Sequence, residues 1–161
     1  MSDTVHAIRR RAWWILFALS VVIALFAVGD LVGGAPFEPD GPIAVGGRTL
    51  EEISDGSPEA FRVIDFHARM GGVDLLALGL LLVLVTWFPY RAGERWAWAA
   101  MWILPAWAAS FVVVPVLYGL APGQSLTTAM LSGPVIALIA AAALVVDAGR
   151  FGPASNGRGV T

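Results

Sequence analysis

Four stretches of this chain are long and apolar enough to cross a bilayer, and nothing else in the sequence constrains its fold as strongly. A transmembrane helix needs roughly 20 mostly apolar residues to traverse about 30 Å of hydrocarbon. Residues 12–32, 69–88, 96–118 and 126–146 meet that requirement. Residues 13–29 and the third and fourth stretches carry no charge, and the second alone holds an ionisable residue at depth, Asp74. At 58% hydrophobic and 14% charged over 161 residues, the chain has more apolar surface than a soluble domain hides. The pattern predicts an all-α integral membrane protein. Its expected form is one domain over residues 1–161, a four-helix up-down bundle with a partly helical outer loop between its first two spans.

Arginine sets the expected orientation, because basic residues are retained on the cytoplasmic side. All ten basic residues are arginine. Arg9, Arg10, Arg11, Arg91, Arg95, Arg150 and Arg158 fall on one side, against Arg48, Arg62 and the boundary residue Arg69 on the other, a division of seven to three. Both termini, tails 1–11 and 147–161, are therefore expected in the cytoplasm and the 33–68 loop outside. Trp13, Trp14, Trp87, Tyr90, Trp96 and Trp98 cluster near the inner arginines, as an aromatic belt at the headgroup level would. The first stretch also has the outline of a signal peptide, whose cleavage would leave three spans. Its uncharged run exceeds the usual core of about 7–15 residues, so a retained anchor is the expectation.

Several functions are excluded by what is missing. The chain has no cysteine, which removes disulfides, CxxC redox chemistry, iron–sulfur ligation and thiolate zinc sites. Two histidines, His6 and His67, do not provide paired haem ligation between helices, and a lone His67 lacks the spacing of a metal-ligand set. A net charge of −2 with dispersed arginines gives no nucleic-acid footprint. No catalytic residue, cofactor or metal is predicted.

The outer loop opens on turn-rich Gly33-Gly34-Ala35-Pro36 and Pro39-Asp40-Gly41-Pro42, which rule out one continuous helix. Thr49-Leu50-Glu51-Glu52 has the form of a capping box and predicts a short helix over residues 50–54. Ser57-Pro58-Glu59 supplies an N-cap, a proline at the first helical position and an acid at the positive dipole end. From there one helix is expected to run to Phe88. Glu38, Asp40, Glu51, Glu52, Asp55, Glu59 and Asp65 make the loop acidic, the composition of a solvated segment, with a cation-binding loop as the alternative.

The outer end of the second span is the one candidate site. At 100° per residue, Arg62, Asp65 and Arg69 share one stripe while His67 and Asp74 share another, about 10 Å apart along the axis. Asp74 lies about 9 Å inside the helix measured from Ala68. An acid at that depth is expected to face the bundle, a water-filled cavity or a cationic partner. Two readings stand. Asp74 pins helix packing by hydrogen bonding to Ser110, Thr127 or Thr128 while Arg69 snorkels outward, or Asp74, His67, Arg69, Asp65 and Asp30 line a pocket for a small molecule or a proton. Pro105, Pro115 and Pro134 free carbonyls at Met101, Phe111 and Met130, and Gly71, Gly72, Gly79 and residues 140–143 allow close helix approach.

The segment 67–74 faintly echoes the Asp ladder of CDP-alcohol phosphotransferases. That family's preceding Asp-Gly and final Asp are absent, since Leu78 stands four residues beyond Asp74, and the assignment is rejected. Thr49-Leu50-Glu51-Glu52-Ile53, the Arg69–Gly72 entry into a span and the segment from Tyr90 to Trp98 resemble small four-span prokaryotic membrane proteins without an assigned function. The resemblance covers residues 12–147 and is similar in outline to DoxX-like proteins. It implies no reaction. The expected function is a non-enzymatic interaction or accessory role in the cell membrane. Its expected partners are lipids and a membrane protein or second copy, and the alternative is a small-molecule or proton site, or a membrane enzyme, built around Asp74.

Overall fold

A computed structural model describes residues 2–151, so Arg158 and the other tail residues from 152 onward lie outside the described residues. Helix is the only regular secondary structure among the described residues, with no strand. α1 (Ser2–Gly33), α4 (Pro58–Val85), α6 (Ile103–Tyr118) and α7 (Thr128–Asp147) are the long helices, and α2 (Asp40–Gly46), α3 (Leu50–Gly56) and α5 (Arg95–Ala100) are short. Four helical segments, Ala12–Gly33, Pro58–Tyr90, Arg95–Tyr118 and Met130–Arg150, are long and apolar enough to cross a membrane.

Local chemistry explains where most helices start and stop. Thr49 accepts from the Glu52 N–H at 3.1 Å while the Glu52 carboxylate accepts from the Thr49 N–H at 2.9 Å, which completes the capping box of α3. Ser57 caps α4 through the Ala60 N–H, with Pro58 at its first position. The loop is more helical than its prolines suggest. Pro42 sits in the first turn of α2, where its missing N–H has no intrahelical partner to lose, and Gly47 ends that helix at φ 68°.

Prolines act unequally on the long helices. Ahead of Pro105 the third apolar segment breaks between α5 and α6, and the freed Met101 carbonyl accepts from the Leu104 N–H at 3.1 Å. Pro115 and Pro134 sit within continuous helices. Pro89, to which the sequence reading assigned no role, lies in a wide π-type turn over Thr86–Tyr90, the irregularity that a proline inside a helix commonly requires.

α1 is the central element, packed along α4 on one side and α7 on the other, and α6 packs on α7. Glycine sets the α1–α4 spacing. A Cβ at Gly72 would lie 2.6 Å from the Leu31 nitrogen, and one at Gly79 would lie 2.8 Å from the Ala24 nitrogen. These two contacts advance by seven residues in opposite directions, so the helices are antiparallel with their backbones nearly touching. Gly133 does the same for α7 against the Ala108 carbonyl of α6.

The core is concentrated at the end of the molecule that holds the 91–94 turn, here the turn end. Leu16, Leu82, Tyr90, Met101, Leu104 and Leu144 are buried there together. Tyr90 is therefore not a belt residue, as expected from sequence, but a core residue packed on Phe151 with ring centroids 5.0 Å apart. Trp13 and Trp87 meet edge-on beside Arg91, whose guanidinium lies 5.3 Å from each ring. The Trp98 indole N–H donates to the Leu144 carbonyl at 3.0 Å.

A buried carboxylate closes this end. Asp147 is fully buried and paired with Arg150 at 3.0 Å, and Arg150 also donates to the Arg91 carbonyl at 3.2 Å. The Tyr90 hydroxyl neighbours Asp147, although neither that hydroxyl nor Asp147 Oδ1 has a well-formed hydrogen bond. Removing one partner of a buried pair leaves an uncompensated charge. Arg150→Ala is expected to cost about 3 kcal/mol in thermal or denaturant unfolding in mild detergent, and Asp147→Asn in the same chain should restore most of it. A double variant no more stable than Arg150→Ala would contradict this role.

Candidate functional site

The opposite, loop end carries the polar residues singled out by sequence, and the structure separates them onto two faces of α4. Asp65 and Arg69 turn toward α1. The Arg69 Nε donates to Asp65 Oδ2 at 2.9 Å, and its Nη1 donates to the Leu31 and Val32 carbonyls at 3.0 and 2.9 Å. Asp65 Oδ1 in turn accepts from the Ala35 N–H at 3.0 Å. The pair clasps the corner where α1 ends, satisfying carbonyls that a helix C-terminus leaves without partners. Gly34 occupies the corner at φ 62°, and a side chain there would run into Asp65 Oδ1.

His67 and Asp74 lie on the other face. Both are exposed, on a stripe continued by Phe66, Met70, Val73, Leu80, Leu81 and Leu84. The His67 Nδ1 donates to the Val63 carbonyl at 2.8 Å. Asp74 has no hydrogen bond or ion pair among the described residues, and it faces away from the packed helices. Two of the three partners expected for it are engaged elsewhere: Ser110 donates to the Trp107 carbonyl at 2.6 Å, and Thr127 caps α7 through the Met130 N–H at 3.2 Å. The reason is angular. Gly72 and Gly79 must face α1, and Asp74 lies two residues, about 200°, from Gly72.

Asp30 is half-buried near the end of α1. Its electrostatic neighbour is Glu38, a residue the sequence reading grouped with the solvated loop acids. Glu38 follows a 3-10 turn, Ala35–Phe37, whose Phe37 ring folds back over Gly29 and Gly33 and meets Phe26 edge-on at 5.1 Å. Two glycines one turn apart leave a groove for that ring, which sets Glu38 between α1 and the α6–α7 pair.

Glu38 there lines a cavity of about 530 Å³ that opens at the loop end and a smaller recess of about 110 Å³ below it. The two share Phe26, Glu38, Trp107 and Phe111. Trp107 and Phe111 meet edge-on at 5.0 Å. Ser110, Asp40 and Thr127 add polar groups to the wider part, while Val22, Ile23, Ala108 and Ile136 make the recess apolar. Burial holds the Glu38 carboxyl above the ordinary carboxylate range, and the charge of Asp30 pushes it the same way. No arginine lines either space. Asp74, His67, Arg69 and Asp65 line neither. Among the described residues, no three His, Asp or Glu side chains gather in a way that would hold a metal ion.

The signal for this cavity was weak in the sequence because its walls come from α1, the loop, α6 and α7. Phe26, Trp107 and Phe111 read there as ordinary residues of apolar helices. Comparisons with protein-family models, curated proteins and solved structures found no match to the chain. The DoxX-like outline therefore rests on the quoted sequence segments alone.

The clasp makes an ordered prediction. Arg69→Leu removes the donors to the Leu31 and Val32 carbonyls and is expected to cost about 1–2 kcal/mol in thermal unfolding in detergent. Asp65→Asn keeps an acceptor for Ala35 and should cost less, since the ion pair is partly exposed and screened. Equal stability of Arg69→Leu and the parent chain would contradict the clasp.

Proposed function

We propose that this chain is an integral protein of the cell membrane, spanning it four times as an up-down bundle with the loop end outside and both termini in the cytoplasm. We propose further that it acts there as a non-enzymatic accessory protein. Two observations support the setting. Large apolar side chains stand exposed on every long helix, among them Leu25, Leu81, Leu117 and Leu138 at 67, 57, 81 and 72%, far more than a water-facing surface tolerates. The arginine division of seven to three assigns the sides.

The accessory role is carried by one observation, the outward direction of Asp74. A carboxylate within an apolar helix is costly, about 2.5–3.5 kcal/mol at the bilayer centre and less nearer the surface. Such residues are retained where they meet a partner. The described residues supply none, and among the long helices α4 packs chiefly on α1. The occupant that fits is a transmembrane helix of another protein with a basic residue in its outer third, lying along the stripe of Met70, Asp74 and Ala77. The second reading, a small-molecule site, is favoured by the cavity, and its centre is then Glu38 rather than Asp74.

A photo-crosslinking amino acid at Ala77, tested in native membranes, examines the pairing. The expected result is an adduct with a distinct protein, reduced about tenfold by Asp74→Leu, since interhelical polar contacts in membranes contribute about 1–2 kcal/mol. Expression and stability should be unchanged. An adduct that persists in Asp74→Leu, a product with twice the chain's own mass, or no protein adduct at all would overturn it.

A further inference from the structure

We infer that the loop-end cavity is a binding site for an amphiphilic organic cation, a substituted ammonium head group carrying a hydrocarbon chain. The chemistry of the walls selects that class. Phe26, Phe37, Trp107 and Phe111 surround the space in which Glu38 stands, and the faces of aromatic rings attract a cation that has shed part of its water. The Glu38 carboxylate has no hydrogen bond or ion pair among the described residues. With Asp30 and Asp40 nearby and no arginine in the lining, the charge of the site is negative and unbalanced.

An inorganic cation would need several oxygen ligands at short range, and among the described residues no three His, Asp or Glu side chains gather to supply them. An anion would meet only repulsion. An alkylated ammonium needs few hydrogen bonds and gains from both the aromatic faces and the carboxylate.

The recess beneath fixes the rest of the ligand. It adjoins the wider space at the four shared residues and is lined below them by Val22, Ile23, Ala108, Ser132, Gly133 and Ile136, a mostly apolar wall. A hydrocarbon chain attached to the head group extends into it without leaving polar atoms unpaired. The recess lies beside Gly133, where α7 meets the Ala108 carbonyl of α6, while the bulk of the core lies at the far end of the molecule. The same chemistry is found in a free alkylammonium and in the head group of a choline lipid.

Equilibrium dialysis of radiolabelled octyltrimethylammonium against the full-length protein in uncharged maltoside micelles tests the site, with empty micelles as blank. Saturable binding is expected. Unlabelled ligand should displace it and 1-octanol, which has the chain without the charge, should not. Glu38→Gln should weaken binding at least about tenfold, while Asp55→Asn, an exposed acid on α3, leaves it unchanged. Displacement by added phosphatidylcholine would identify the lipid head group as a source of the ligand. Failure of phosphatidylcholine to compete would assign the site to the free cation, and both results sustain the proposal. No binding above the micelle blank, displacement by 1-octanol, or equal affinity of a folded Glu38→Gln would overturn it. The comparison of charged and uncharged ligand needs no substitution, so it stands even where Glu38→Gln does not fold.

Discussion

The approach of α1 to α4 across Gly72 and Gly79 is the contact on which the arrangement of the loop end depends. Two backbones in near contact along an antiparallel register leave only one rotational setting for α4. That setting turns Asp65 and Arg69 toward the end of α1 and Asp74 away from it. The clasp then fixes the Gly34–Ala35 corner, and the next residues carry Phe37 and Glu38 to the cavity mouth. A pair of side-chain-free positions on α4 thus determines where an acid on another segment stands.

The charged residues within or beside the apolar helices meet three different physical outcomes. Arg69 and Asp65 serve helix-end carbonyls and an N–H that would otherwise lack partners. Asp147 is buried at the turn end and held by Arg150, which joins α7 to the 91–94 turn. Asp74 has neither a helix end to serve nor a counterion among the described residues. In a bilayer, which we propose as the setting, the first two are satisfied internally and the third directs association. The contrast separates residues that stabilise this fold from one that points beyond it.

Much of the fold was legible because it rests on local chemistry. The apolar stretches, the Thr49–Glu52 capping box, the Ser57–Pro58 start of α4 and the close-packing glycines are all encoded within a few residues of one another. The direction of Asp74 was harder, since two stripes on α4 were apparent and only the partner helix decides which one is covered. Pro105 gave no advance sign of breaking its helix where Pro115 and Pro134 do not. Glu38 was hidden among seven loop acids. Its distinction depends on the fold of Phe37 over Gly29 and Gly33 and on aromatic rings from helices distant in sequence, contacts that no local pattern contains.

The account as a whole depends on the loop end and the turn end lying on opposite sides of a membrane. Because the chain contains no cysteine, single cysteines at Asp55 on α3 and Ala92 in the turn report each side without background. A membrane-impermeant maleimide applied to intact cells should label Asp55→Cys and leave Ala92→Cys unmodified until the membrane is opened. Labelling of Ala92→Cys in intact cells, or protection of Asp55→Cys until lysis, would contradict it.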